Sequence, residues 1–275
     1  MKQHSLSLTD EDLVGQLTAK KGSALWLGRF TADEIENILE RIDIFPVLRE
    51  KGLSDFLIEI EPLEDFGQTL KVYSQEKSPT SQLAEARLHE ITFRPKEKMP
   101  ETFSLKNPKV LAIDWLMMQN PQATFLPDRP RLPGQIYPGL GVARKVLKLL
   151  YTYCRWQGLA ALVNFPEYFH NAFLYRAYFN FYNPERDAFL TSLYRDLQPL
   201  TLAQMSWAIE WKCVRKKDSN EVFDWFSGVQ IMPIQQEIKE YFLSKWYIQK
   251  SKQNSVQKQV ILDKEKFRSK WKTNF

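Results

Sequence analysis

The chain has 275 residues and a mass of 32.5 kDa, is 44% apolar and 26% charged, and carries 8 Trp, 11 Tyr and 18 Phe. That is material for one large packed domain or two small ones, and it excludes a disordered or collagen-like chain. The net charge of +5 is local: residues 245–275 hold nine Lys/Arg against Asp263 and Glu265, whereas the remaining 244 residues carry 29 basic and 31 acidic side chains. A whole-surface nucleic-acid binder, which needs a basic face on its folded body, is disfavoured.

No apolar run approaches the ~20 residues that span a bilayer, and Met1–Asp12 lacks the apolar core of a secretory signal. Cys154 and Cys213 are too few for a disulfide framework or a four-cysteine zinc site, and a cytoplasmic setting with free thiols is expected.

In chain order, Thr31 and Glu34 predict a capping box opening a helix whose Ile35, Ile38, Leu39 and Ile42 share one face, with Pro46 at its end. Phe56–Ile60 and Thr69–Tyr73 read as an antiparallel pair around Asp65 and Gly67, Ser74–Ser81 as a loop, and Ala86–Phe93 as a strand closed by Pro95. Lys96–Pro108 is a charged connection. Val110–Met118 is apolar enough for a central strand, and Asn120–Pro138 is Pro-rich and irregular. Gly139-Leu140-Gly141 then opens a helix with Val142, Val146, Leu149, Leu150 and Tyr153 on one face, stopped by Gly158. Leu159–Asn164 is a short buried strand, and Pro166-Glu167 begins a second helix. The two strands of this unit are expected to run parallel. Beyond it, Asp187–Leu197 reads as a helix, Trp207–Arg215 and Val222–Gln230 as strands around a hairpin at Lys216–Glu221, and Gln235–Ile248 as a helix. The expected organisation is one α+β domain over 1–248, with a flexible basic tail at 249–275.

The sharpest feature is Pro138-Gly139-Leu140-Gly141-Val142-Ala143-Arg144 at a strand-to-helix junction. Two glycines allow close backbone approach, and the amides of a first helical turn form an anion site for which pyrophosphate is the natural occupant. Arg144 stands where a dinucleotide fingerprint has its third glycine, and no Gly-Lys-Ser/Thr follows, so neither a Rossmann nor a Walker loop is present. A turn that merely starts a helix is the bland alternative.

Residues 110–182 resemble the core of the GNAT superfamily of acyl-CoA N-acyltransferases. There a central strand leads into an Arg/Gln-x-x-Gly-x-Gly/Ala loop whose amides hold the CoA pyrophosphate. A helix, a strand and a second helix with an Asn…Ala…Leu-Tyr…Gly-Phe pattern follow. This sequence offers Ile136-Tyr137-Pro138-Gly139-Leu140-Gly141, then His170-Asn171-Ala172-Phe173-Leu174-Tyr175, then Phe179-Asn180-Phe181. Ile136 replaces the usual Arg or Gln.

The resemblance implies a GNAT-like mixed sheet flanked by helices, with extra C-terminal strands and a helix. It implies acyl-CoA, as acetyl-CoA or a longer ester, held by Gly139, Leu140, Gly141, Val142, Ala143, Arg144 and Asn171, and transfer to a small-molecule or protein amine without a metal. Tyr175 matches the helix tyrosine that protonates the leaving thiolate, and is otherwise one packing aromatic among many. His170 and Glu167 are candidate general bases, with a structural residue as the commoner reading of each. Arg129 and Arg131, in the Pro-rich loop, are candidates for binding phosphate or a substrate carboxylate.

His4, His89 and His170 are scattered without ligand spacing, and no Gly-x-Ser-x-Gly elbow occurs. Trp207, Trp211 and Trp225 read as a packed face. Two alternatives stay open: a non-catalytic binding protein that keeps the fold, and an adaptor that binds nucleic acid or an anionic membrane through the basic segment 245–275.

Overall fold

The computed structural model describes residues 25–62, 68–94 and 107–274. The expected turn around Asp65 and Gly67, Pro95 and most of the connection 96–108 lie outside these residues. The class is α+β, with a seven-stranded mixed sheet in the order β1-β2-β3-β4-β5-β8-β6, flanking helices, and a separate two-stranded sheet β7-β9. The chain divides into two compact units: 1–92 with 109–124 and 137–162, and 93–108 with 125–136 and 163–275.

In the first unit, Thr31 opens α1 (Ala32–Arg41) through both bonds of the capping box: the Glu34 amide donates to Thr31 Oγ1 at 3.2 Å and the Thr31 amide to Glu34 Oε2 at 2.8 Å. Pro46 does not end this helix. Asp43, at φ 56°, turns the chain into a second helix, α2 (Ile44–Arg49), and Pro46 sits in its first turn, where a missing N–H costs nothing. Arg49 clamps Glu40 bidentately at 2.7 and 2.8 Å, tying α2 to α1.

Strands β1 (Phe56–Pro62), β2 (Gln68–Ser74), β3 (Gln82–Thr92) and β4 (Lys109–Met118) form an antiparallel meander. α3 (Ala143–Trp156) ends at Gly158, whose φ of 67° places it in the left-handed region that glycine adopts without strain. The next strand, β5 (Ala161–Asn164), is wholly buried. The Ala160 amide bonds Lys109 O at 2.8 Å, so β4 and β5 start together and run parallel as expected. Ile42, Phe45, Leu48, Leu53, Val72 and Leu83 centre the core, and Phe45 stacks on Phe56 at 4.1 Å.

The second unit holds α4 (Phe169–Tyr175), β6 (Asn180–Phe181), α5 (Pro184–Asp196), α6 (Leu202–Glu210), β7 (Val214–Lys216), β8 (Gln230–Pro233), α7 (Gln236–Leu243), α8 (Lys245–Gln257), β9 (Val260–Leu262) and α9 (Lys264–Asn274). Three expectations are corrected here. Trp207 lies on a helix, because Thr201 and Gln204 form a second capping box that commits 202–210 to helical geometry. Val222–Gln230 is irregular except at its end; a single bridge joins Arg215 to Val222, and the full partner of β7 is β9. The helix expected over 235–248 breaks at Ser244, which caps a new helix by accepting from the Tyr247 amide at 3.2 Å.

The C-terminal segment is also built in rather than frayed. Val260 and Phe267 are buried in one core with Phe169, Leu193, Met205 and Phe223, and Trp271 packs edge-on to Trp211. The Lys-rich composition hid an amphipathic helix whose apolar pair, Phe267 and Trp271, sits four residues apart.

Candidate functional site

The residues singled out in the sequence fall into two sets, one in each unit. The first set is the loop 139–144. After β4 the chain returns through Asn120, whose amide donates to Pro138 O at 2.7 Å, and this fixes where the glycines begin. Only Gly141 needs to be glycine on backbone grounds, at φ 77°. A Cβ on Gly139 would find its nearest neighbour, Met118 O, at an ordinary 3.8 Å.

Leu140 and Val142 turn inward and are buried, while Gly141 and Arg144 are exposed. Burial of the alternate side chains pins the loop so that its backbone stays at the surface. α3 then starts without a side-chain cap and without an acid in its first turn. The Lys145 and Val146 amides bond Val142 O at 2.9 and 3.1 Å, and the Ala143 and Arg144 amides precede them in the turn whose donors have no intrahelical acceptor. Lys51, from the turn after α2, hydrogen-bonds Leu140 O. Lys145 reaches Ile42 O at 3.2 Å and Asp43 at 3.4 Å. The amides of the first turn and the positive end of the helix dipole therefore lie with Arg144 and with Lys145, the latter paired with Asp43, and Lys51 reaches the same loop.

The second set gathers around α4. His170 is buried, its Nδ1 has no partner among the described residues, and its ring stacks on Tyr168 at 5.4 Å. Burial alone lowers its pKa to about 4, so the imidazole is neutral across the physiological range. Glu167 is exposed and precedes the helix, which begins at Phe169 rather than at Pro166. Asn171 is half-buried. Tyr175 closes the helix with its ring against Phe179 at 6.1 Å, and burial raises its phenol pKa, which keeps the proton on oxygen at neutral pH.

The Pro-rich loop is anchored from this side. Gly134 lies so close to Tyr168 that a Cβ would approach the ring to 2.8 Å, and the Trp207 indole donates to Arg131 O at 2.7 Å while the Arg131 guanidinium lies over its ring at 5.6 Å. Arg129 and Arg131 are both exposed.

Sequence reasoning missed one pair. Arg87 faces Trp115 and Leu88 faces Ile113, so Asp114 is the extra residue of a bulge in β4. Its carboxylate takes His89 Nδ1, and both are partly exposed beside Trp115. The signal was a single charge interrupting the apolar run of β4. Among the described residues no group of three or more His, Cys, Asp or Glu could hold a metal ion, and no helix is long and apolar enough to cross a membrane.

No family model matches the chain, and no curated protein matches it. Among solved structures, it is similar to the crystal structure of AtaTR bound with AcCoA, at 12% identity over 85% of this chain and 95% of that one, with a TM-score of 0.26. A likeness that distant carries no argument, and the functional reading rests on this chain's own residues.

Proposed function

We propose that this protein is an acyl-CoA-dependent N-acyltransferase. The observation that carries the reading is the start of α3: exposed Gly141 at positive φ, an uncapped and acid-free first turn, and Lys51, Arg144 and Lys145 beside it. Diphosphate is the anion that such a segment suits, because two phosphates can take several backbone donors and a cation together.

In the proposed reaction the amine nitrogen attacks the thioester carbonyl, the carbon–sulfur bond breaks, and the leaving thiolate takes the Tyr175 proton. A base removes the amine proton. Glu167 is exposed, and His170 is neutral with an Nδ1 that has no partner among the described residues. Asn171 would contribute to holding the cofactor, and Arg129 and Arg131 would meet the acceptor or a phosphate. The acceptor is a small-molecule or protein amine.

The test is acetyl-CoA turnover on an amine panel by wild type and Tyr175→Phe. Loss of a positioned proton donor lowers turnover about 10²–10⁴-fold while cofactor binding stays. Equal turnover removes Tyr175 from the mechanism, and binding without transfer to any amine favours a non-catalytic binding protein.

A second reading is favoured by α9, which keeps Phe267 and Trp271 inward and Lys264, Arg268, Lys270 and Lys272 exposed. A preformed basic helix suits an anionic partner, nucleic acid or lipid, with binding that weakens steeply as salt rises.

A further inference from the structure

Side chains alternate along a strand, and on β4 Leu116 and Met118 face the apolar space under α1 and α3, with Ala84, Ala86 and Leu88 of β3. An unbroken ladder would set Asp114 opposite Leu88, against that apolar side. The bulge puts Ile113 there instead and turns Asp114 onto the open face, beside Trp115. His89 lies two residues beyond Arg87 on β3 and faces the same way, and its Nδ1 meets the Asp114 carboxylate.

This pairing fixes the chemistry of the ring. A carboxylate only accepts, so Nδ1 carries the proton and Nε2 keeps its lone pair. Nε2 has no partner among the described residues. The two side chains are 46% and 44% exposed, so an incoming molecule can reach the free nitrogen. The other charges on this face are committed elsewhere: Arg87 to Glu85 at 3.1 Å, and Lys71 of β2 to Glu61 of β1 at 2.5 Å. Opposite His89 on β4 stands Ala112. The other two candidate bases are worse equipped. His170 is 3% exposed, and its pKa of about 4 makes it a weak base at neutral pH. Glu167 has no side-chain partner among the described residues to orient it.

We propose that His89 is the general base for the acceptor amine and that Asp114 positions it. The proposal rests on the acyltransferase reading and names its base. His89 Nε2 takes the proton of the amine nitrogen as the nitrogen–carbon bond forms. The carbon–sulfur bond breaks, the thiolate takes the Tyr175 proton, and the imidazolium returns its proton to solvent. The pair belongs to the same unit as the cofactor loop. The Met118 carbonyl at the end of β4 lies 3.8 Å from where a Cβ on Gly139 would stand. Asp114 is four residues earlier, about 13 Å along the strand. That is a span of the kind a pantetheine arm bridges between a diphosphate and a thioester.

The experiment is acetyl-CoA turnover on an amine panel by full-length wild type, His89→Gln and Asp114→Asn. The kcat is followed against pH at saturating amine, and acetyl-CoA binding is read by calorimetry. In His89→Gln kcat is expected to fall about 10²–10⁴-fold and to lose its acid limb, with acetyl-CoA bound as in wild type. Asp114→Asn falls toward the same level, because its amide can donate to Nδ1 and send the ring proton to Nε2. Equal kcat in wild type and His89→Gln overturns the assignment and leaves the acyltransferase reading standing. A fall that keeps the acid limb marks a structural role and overturns it too. Wild-type kcat in Asp114→Asn overturns the positioning role. Wild type that transfers to no amine overturns the acyltransferase reading and this assignment with it. Should His89→Gln not fold, carbethoxylation of wild type decides, followed at the His89 peptide by mass spectrometry. Transfer lost in step with that modification supports the base, and transfer that survives it overturns the proposal.

Discussion

Substituting the two glycines of the loop separately should give effects of opposite sign. Gly141 sits at φ 77°, where an L-residue loses about 1–2 kcal/mol. Its added Cβ would also come within 2.8 Å of Lys51 Nζ, so that flexible ammonium must leave Leu140 O, at a cost of about 0.5–1 kcal/mol. Against this, alanine narrows the unfolded ensemble and returns about 0.4–1 kcal/mol. Gly141→Ala is therefore expected to destabilise by about 1–2 kcal/mol. Gly139 has an ordinary φ and open space to 3.8 Å, so Gly139→Ala keeps only the unfolded-state gain and should be neutral or stabilising by up to about 1 kcal/mol. Urea unfolding of the two variants with wild type, compared at constant slope, measures both. Equal shifts in the same direction, or a neutral Gly141→Ala, would refute the loop geometry. Gly141→Asn supplies a check, since asparagine tolerates the left-handed region and should lose less than alanine.

Thr31→Ala removes the acceptor of the α1 capping box and should cost about 1 kcal/mol by chemical denaturation, and Thr201→Ala should do the same to α6. His170 has a folded pKa of about 4 against ~6.5 unfolded, so the unfolded chain binds the extra proton first. Its contribution, about 3 kcal/mol, is present above pH ~6.5 and lost as pH falls to about 4, and His170→Phe should flatten that part of the stability profile. Cys154 is buried with its thiol pushed up to about 12, and burial raises Cys213 as well, so neither should react with a disulfide reagent at pH 7.5 until the protein unfolds. Phe267→Ala should cost about 3–5 kcal/mol in thermal or urea unfolding, whereas a frayed tail would give no change.

What the sequence made legible was what local chemistry decides. The capping box at Thr31, the β1–β2 pairing, the Gly158 stop and the strand–loop–helix–strand order all followed from residue type and spacing. The errors came where composition outweighed a local signal. Trp207 and its neighbours have the aromatic content of a strand, yet Thr201 and Gln204 stand three apart and decide the matter. α9 was hidden by its lysines although Phe267 and Trp271 have helical spacing. Other features are not local at all. The burial of His170 and the bulge that sets Asp114 against His89 arise from register and packing between distant segments, which no window of sequence contains.

The central claim is that a CoA diphosphate lies on the amides at the start of α3. Hydrogen–deuterium exchange with and without acetyl-CoA reads those amides directly. The account predicts slowed exchange in peptides covering 139–146, lost in Gly141→Val. Acetyl-CoA that leaves exchange at 139–146 unchanged would contradict it.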